Sequence, residues 1–402
     1  MSPSILERIV HYALIAFALL TPISVAGGNL LAAVLIFLWF MQGNFRIKIN
    51  KLSKNKFAIA SLAIFIVYFI GILWTSDYHN GFEKLKKMIE FGILIPILLT
   101  LIKEKKSVVY LNAFFFSIAI TLIVSFALYF GFINEFAIQG VLKNNPTPFM
   151  SHITHTPLMA ISFYISARLL LSNTINSFIE NKFYNITILL ISLLSALNVL
   201  ITSGRAGHIV FLALTILLIF QIIKKPIVSL LISITSISLI LLFSSIFEFN
   251  FSYKLNKTIE NLSMNESSSS LARRYYMAEN SMEIFQNNFL FGVGSGDFYS
   301  EYEKIKSKKN YPFELASTKN PHNMYLLVAA ELGIFGLIFL FYFFYVLFKS
   351  ALLQKNIFYK DSAIALGLSF CILNLSDSYF LGHFSTFIFA LLISIFFADI
   401  YE

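Results

Sequence analysis

The chain has 402 residues, 57% of them hydrophobic and 13% charged, with a mean hydropathy of +0.76. Soluble domains carry roughly a quarter charged residues, so a soluble fold is excluded. The net charge of +9 would point to nucleic acid in a soluble protein, but here the basic residues fall in short gaps between apolar runs and read as membrane topology.

A spanning helix needs ~20 mostly apolar residues, because the hydrocarbon core offers the backbone no hydrogen-bond partners. Ala58–Trp74, Ile186–Ile201, Ile227–Phe247 and Met324–Phe348 come near or exceed that length. Twelve apolar segments are predicted in chain order, at 9–25, 28–41, 57–74, 88–102, 107–132, 153–171, 184–202, 206–223, 226–248, 323–348, 359–376 and 382–399. Arg8, Ile9–Leu20 and Ser24-Val25-Ala26 loosely resemble a signal peptide; an uncleaved first helix is preferred, because the charge parity requires it. The expected fold is an all-α polytopic membrane protein of about twelve helices: nine over 1–248, one large outer loop at 249–322, and three over 323–402, forming one membrane domain. Its single cysteine, Cys371, lies in an apolar run, so neither a disulfide framework nor a Cys-based metal site is available.

Lysine and arginine in short connections set orientation. With the N-terminus inside, 16 of them lie on the inner side, from Arg8 and the Arg46–Lys56 cluster to Lys349, Lys355 and Lys360. The short outer connections hold 5, namely Lys84, Lys86, Lys87, Lys143 and Arg205, and the long loop holds the other 9. Both termini are therefore expected inside. In the loop, Ser267–Ser270 could cap a helix, and Leu271, Tyr275, Ala278, Met282 and Phe285 recur as an amphipathic stripe that would lie on the bundle or at the interface. Gly292-Val293-Gly294-Ser295-Gly296 then breaks it as a turn; following a helix rather than a strand, it is no dinucleotide fingerprint.

Four basic residues stand out on the outer side. Arg205, in Thr202-Ser203-Gly204-Arg205-Ala206-Gly207, is either a snorkelling interfacial arginine or an anion ligand, its small neighbours letting a bulky anion approach the backbone and its guanidinium suiting phosphate. Arg273 and Arg274 open the loop helix, as a solvated pair or as an anion site aided by the helix dipole. His322 follows Pro321 and is expected at the N-terminus of the tenth membrane helix, where the helix field favours a neutral, proton-accepting imidazole. His152 and His155 are spaced i, i+3, but no third ligand completes a metal site; His208 and His383 are weaker candidates. The sequence has no Walker loop, no Asp-x-Asp pair and no Gly-x-Ser-x-Gly. Acidic residues within the spans are few, so a carboxylate relay is not evident, and any substrate must arrive activated.

Three stretches resemble the O-antigen ligase and polymerase superfamily of bacterial membrane glycosyltransferases. These are Thr202-Ser203-Gly204-Arg205-Ala206-Gly207; Arg273 or Arg274 followed by a helix and Phe291-Gly292-Val293-Gly294; and His322-Asn323-Met324-Tyr325-Leu326 followed by Ala330-Glu331-Leu332-Gly333 and Gly336. Gly204 interposes where many members have Ser-Arg, and Asn288-Phe289 replaces a frequent His-Pro. The resemblance implies an active site at the periplasmic face of the inner membrane, with no metal and no cofactor. It implies a donor glycan on undecaprenyl pyrophosphate and, for a ligase, a sugar hydroxyl of lipid A–core as acceptor, in a lipid environment and without nucleic acid. Arg205, Arg273 and Arg274 would hold the pyrophosphate, His322 would act as general base, and Ser203, Asn323, His152 and His155 would support them. Only one outer loop is long, which favours a ligase over a polymerase. A flippase for lipid-linked sugars is a third reading, but no duplicated halves support it.

Overall fold

The structure, a computed structural model, describes residues 5–134, 144–172, 182–263 and 270–398. These residues are helical with no β-strand. Seven helices are long and apolar enough to cross a membrane: α4 (Lys56–Ile70, extended by a 3-10 turn to Trp74), α7 (Glu104–Tyr129), α9 (Lys182–Ile201), α10 (Arg205–Ile222), α11 (Pro226–Ile246), α15 (Met324–Leu352) and α16 (Ile357–Ser376). On α11 only Ser229, Ser233 and Ser244 are buried, and most of its isoleucines and leucines face outward. An apolar helix turned inside out in this way is stable only against lipid.

The other predicted segments fall short of a full span. α1 (Ile5–Leu20) has 16 residues; α2 (Val25–Met41) has 17 and bends 116° into α3 (Phe45–Lys54), a pair that would make an eighth span. After α5 (Tyr78–Lys87), the 88–102 segment is a π-helical stretch, Glu90–Leu94, leading into the 7-residue α6 (Ile95–Leu101). α8 (His152–Leu170) is long enough but not apolar enough, and α17 (His383–Phe396) has 14 residues. The twelve-span expectation thus meets seven or eight helices that qualify. The reason lies in α17, where every residue from Ser385 to Phe396 is buried. Sheathed by protein, a helix can stop short or change pitch, because its neighbours shield and satisfy the backbone.

Contacts between distant segments define the two ends of the bundle. At one end Lys103 reaches Glu7 at 3.3 Å, Arg168 forms a buried pair with Asp361 at 2.7 Å, and the Ser107 and Tyr359 hydroxyls meet at 2.6 Å. The clusters Arg46–Lys56, Lys103–Lys106 and Lys349–Lys360 belong to this end. At the other end Tyr379 Oη–H donates to Ile153 O at 2.8 Å and Lys319 Nζ donates to Asn80 Oδ1 at 2.8 Å.

Between α11 and α15 the chain forms α12 (Asn250–Ser263), α13 (Ser270–Asn287) and α14 (Phe298–Lys306). The cap expected at Ser267–Ser269 lies outside the described residues. The predicted stripe on α13 is not its buried face. Met277, Asn280, Ser281 and Ile284 are buried, whereas Tyr275 and Met282 are exposed. Polar Asn280 goes inside because it hydrogen-bonds Tyr311 at 2.7 Å, and the Ser281 hydroxyl bonds back to Met277 O at 2.6 Å, so a hydrophobicity pattern misplaces the face.

The glycine turn after α13 is clamped to α15. Val293 N–H donates to Ala330 O at 3.0 Å, Gly294 N–H to Glu331 O at 2.9 Å, and Ile334 N–H to Phe289 O at 2.8 Å. These bonds are possible because α15 is interrupted at Gly333 (φ 64°, ψ −159°), where a Cβ would come within 2.7 Å of Gly292 N. Below the clamp the Glu331 carboxylate pairs with Lys84 of α5 and accepts Gly296 N–H at 3.0 Å. Asp297 accepts four hydrogen bonds from Thr75, Ser76 and Asp77 at 2.7–3.1 Å, fastening the loop to the head of α5.

Candidate functional site

A cavity of about 500 Å³ opens at the Tyr379–Ile153 end, where α8, α10, α12, α13 and the exit of α16 meet. Three cations line it: Arg205 at the first position of α10, Lys254 on α12 and Arg274 on α13. Arg274 is held by a hydrogen bond from its guanidinium to Ser376 O at 3.0 Å, one of the free carbonyls ending α16. Burial pushes the Lys254 ammonium below the usual lysine range, and the charges of Arg205 and Lys257 push it further. Like charges held this close favour the binding of an anion among them. Ile153, Ala206 and Ile209 form an apolar side of the cavity, and Ile209 is 56% exposed on the outer surface of the bundle.

The small residues around Arg205 also have a packing task. A Cβ on Gly204 would lie 2.5 Å from His152 O, and one on Gly207 would lie 2.6 Å from Thr156 C. They let α10 close on α8, while Ser203, Gly204 and Ala206 line the cavity beside Arg205. The Ser203 N–H donates to Asn145 Oδ1 at 3.0 Å.

The arginine pair diverges. Arg274 faces the cavity, whereas the Arg273 guanidinium lies 5.9 Å from the Phe313 ring centre. The histidine pair divides too. His152 lines the cavity; His155 is fully buried against Asn198, with Nε2 2.8 Å from Oδ1. His208 caps the end of α9 through Val199 O and Thr202 O, and His383 meets Glu90 at 2.8 Å.

His322 is not in a helix. The N-cap of α15 is Asn323, whose side chain accepts Leu326 N–H at 3.1 Å, so Pro321 and His322 precede the helix. His322 takes a left-handed conformation, φ 53°, fixed by its N–H donating to Asn320 Oδ1 at 2.9 Å. One residue before the Asn323 cap, the ring meets a carboxylate, with Nδ1 3.3 Å from Asp377 Oδ2. Nδ1–H donating to Asp377 leaves the Nε2 lone pair outward, a tautomer assigned from the partners. Burial alone would raise the Asp377 carboxyl, but hydrogen bonds from His322, Ser378 N–H and Asn320 outweigh it and hold the group below the usual carboxylate range. Asn323 supports this corner by donating to Leu375 O at 3.1 Å.

Asp377 and Lys254 were both missed by the sequence reading. Asp377 follows α16 and belongs to none of the three motifs, yet it lines the cavity and orients His322. A faint signal existed, since it is an acid in a short outer connection of a chain with few acids there.

Fold and cavity define a polytopic helical membrane protein with a cationic site and a His–Asp pair at one end of the bundle. The family model described as O-antigen ligase matches residues 190–341, so this stretch is similar to that family. The match supports the O-antigen ligase superfamily. The matched stretch contains Arg205, Lys254, Arg274, His322 and the clamped glycines, while Asp377 lies beyond it. No curated protein matches the chain.

Proposed function

We propose that the protein is an O-antigen ligase of the bacterial inner membrane. It transfers a glycan en bloc from undecaprenyl pyrophosphate to a sugar hydroxyl of lipid A–core. The observation that carries this reading is the cavity, in which Arg205, Lys254 and Arg274 face an Asp377 carboxylate that orients His322. About twelve segments cross the membrane, both termini are cytoplasmic, and the cavity faces the periplasm. The gathering of the inner lysine and arginine clusters at the opposite end of the bundle supports that orientation.

The donor's pyrophosphate lies among the three cations, and its prenyl chain leaves past Ile153 and Ile209 into lipid. His322 Nε2 takes the proton of the acceptor hydroxyl as general base, while Asp377 holds Nδ1–H. The acceptor oxygen bonds to the anomeric carbon as the bond from that carbon to the pyrophosphate oxygen breaks. The charge developing on the leaving group is stabilised by the fixed cations, and a single displacement inverts the anomeric centre.

The decisive experiment is the lipopolysaccharide profile of a deletion strain complemented with wild-type or His322→Ala protein. Core without attached glycan, with long chains accumulating on the lipid carrier in the deletion and His322→Ala strains, is expected. Restoration of ligation by His322→Ala would remove the base assignment. A profile reduced to single-repeat material would replace ligase with polymerase.

A further inference from the structure

A second cavity, about 320 Å³, lies directly beside the first. The two share a wall made of Ile153, Asp377 and Tyr379. The far side is formed by α5 and by the segment leading to His322. It presents Asn80, Lys84 and Lys87 from α5, Lys319 and Asn320 from the segment, and Ser378 and Ser385 next to Asp377.

Its charges do not all count equally. Lys84 is neutralised by its pair with the buried Glu331. Glu83 also lines the cavity, on α5 four residues before Lys87, with His79 its neighbour at 3.5 Å. Asp377 is already engaged by His322, Asn320 and Ser378. Lys87 and Lys319 form no ion pair with a carboxylate among the described residues; Lys319 donates to the neutral Asn80 amide, and the Asp77 carboxylate acts on it from farther off. Amides and hydroxyls that both donate and accept, beside the apolar Leu327 and Leu381, suit a sugar ring with its polar edge and C–H face. Two ammonium groups without carboxylate partners add an anionic group to that description.

We infer that this cavity is the acceptor subsite, and that it takes a saccharide carrying a phosphate substituent, held by Lys87 and Lys319. The inference rests on the transfer reading above. A sugar bound here presents its hydroxyl at the Asp377 wall, across which the donor's anomeric carbon lies among Arg205, Lys254 and Arg274. The shared wall is then the line along which the new glycosidic bond forms. It also explains why the segment before α15 is tied to α5 by the Lys319–Asn80 bond, since the same segment positions His322.

The test uses the full-length protein in phospholipid vesicles. Binding of delipidated core oligosaccharide, intact and after phosphatase treatment, is measured for wild type, Lys87→Gln and Lys319→Gln. Transfer from a lipid-linked donor is measured in parallel. Removing the phosphates is expected to weaken wild-type binding at least tenfold. Each substitution should raise the acceptor KM by about tenfold, as loss of one charge-assisted bond predicts, while the donor KM stays within twofold. Lys87→Arg and Lys319→Arg should recover most of the loss, which a merely folded-state role for the lysines would not predict. If binding ignores the phosphates, or the substitutions raise the donor KM instead, the acceptor subsite is refuted even where transfer itself is robust. If oligosaccharide binding depends on both lysines but no glycan is transferred, the subsite stands and the transfer reading falls.

Discussion

Arg273 and Arg274 are adjacent and chemically identical, and the structure assigns them opposite importance. Arg274 lines the cation cavity and is braced on Ser376 O at 3.0 Å, whereas Arg273 lies over Phe313. Removing a charge-assisted hydrogen bond costs about 1.5–3 kcal/mol, which corresponds to roughly a 10- to 150-fold loss. Arg274→Ala is therefore expected to lower kcat/KM for the lipid-linked donor by that factor. Arg274→Lys should fall between, because one ammonium cannot brace on the carbonyl and fork onto a pyrophosphate at once. Arg273→Ala forfeits an exposed cation–π contact of about 0.5–1 kcal/mol, a loss of less than about fivefold that appears in thermal stability rather than donor kinetics. Vesicle-reconstituted protein with saturating acceptor gives the kinetics, and melting of the detergent-solubilised variants controls for folding. An Arg273→Ala defect in donor kcat/KM equal to or larger than that of Arg274→Ala would refute the assignment.

Asp377→Asn keeps a hydrogen-bond acceptor beside Asn320 and Ser378 but removes the charge that orients His322. The expected result is a fall in kcat of about 10²-fold or more, the scale of a mis-set general base, with the donor KM changed by less than threefold; an unchanged kcat would separate Asp377 from the chemistry. Lys254 titrates below the usual lysine range, so as pH rises it loses its charge before an ordinary lysine would. The donor KM should accordingly rise on the alkaline side, and Lys254→Arg, which keeps its charge there, should move that limb to higher pH; superimposable pH profiles would remove Lys254 from the donor site. Gly333→Ala forces a side chain into φ 64°, a strain of roughly 1–3 kcal/mol, and pushes a Cβ onto the backbone of Leu290 and Gly292. Gly43→Ala meets the same positive φ with nothing within 4 Å, so Gly333→Ala should melt well below Gly43→Ala, and equal melting would deny the clamp between α15 and the glycine turn.

What could be read from the sequence follows from how local each signal is. Long outward-facing helices such as α11 announce themselves by composition, because protein covers little of them. The shielded helices do not: α6 and α17 shorten because protein, not lipid, surrounds them, so their length departs from the full span that a hydropathy count expects. Arg205, Arg274 and His322 were legible as basic residues that break the expected charge asymmetry, and the structure brings Arg205 and Arg274 into one cavity with His322 behind Asp377. Which arginine faces inward was not legible, since one residue's step on α13 is a rotation of about 100°, and the buried Asn280 and Ser281 hid the true inner face. Asp377 and Lys319 could not be paired with their partners by spacing at all. Lys319 meets Asn80 across 239 positions, and Asp377 meets His322 across 55.

The same distances explain why a family signature can be structural and still govern the site. Glu331, Leu332 and Gly333 touch none of the three donor cations, yet the backbone at 330–334 holds the glycine turn, and the Glu331 carboxylate holds Lys84 and Gly296. Lys84 is on α5, which also carries Asn80 and Lys87 of the second cavity; the turn continues into Asp297, which grips the head of α5 through Thr75, Ser76 and Asp77. One buried carboxylate and one broken helical turn therefore fix α5 relative to α15, and the residues just before α15 carry His322 and Lys319. A change at Glu331 or Gly333 moves the acceptor wall and the base together while leaving Arg205 and Lys254, on α10 and α12, where they are. Such variants should lose acceptor use and kcat in step and keep the donor affinity that Arg205 and Lys254 supply, whereas an Arg205 or Lys254 substitution should lose donor affinity and leave acceptor use intact. Two kinetic signatures from two separately anchored walls are what a transfer between adjacent subsites requires.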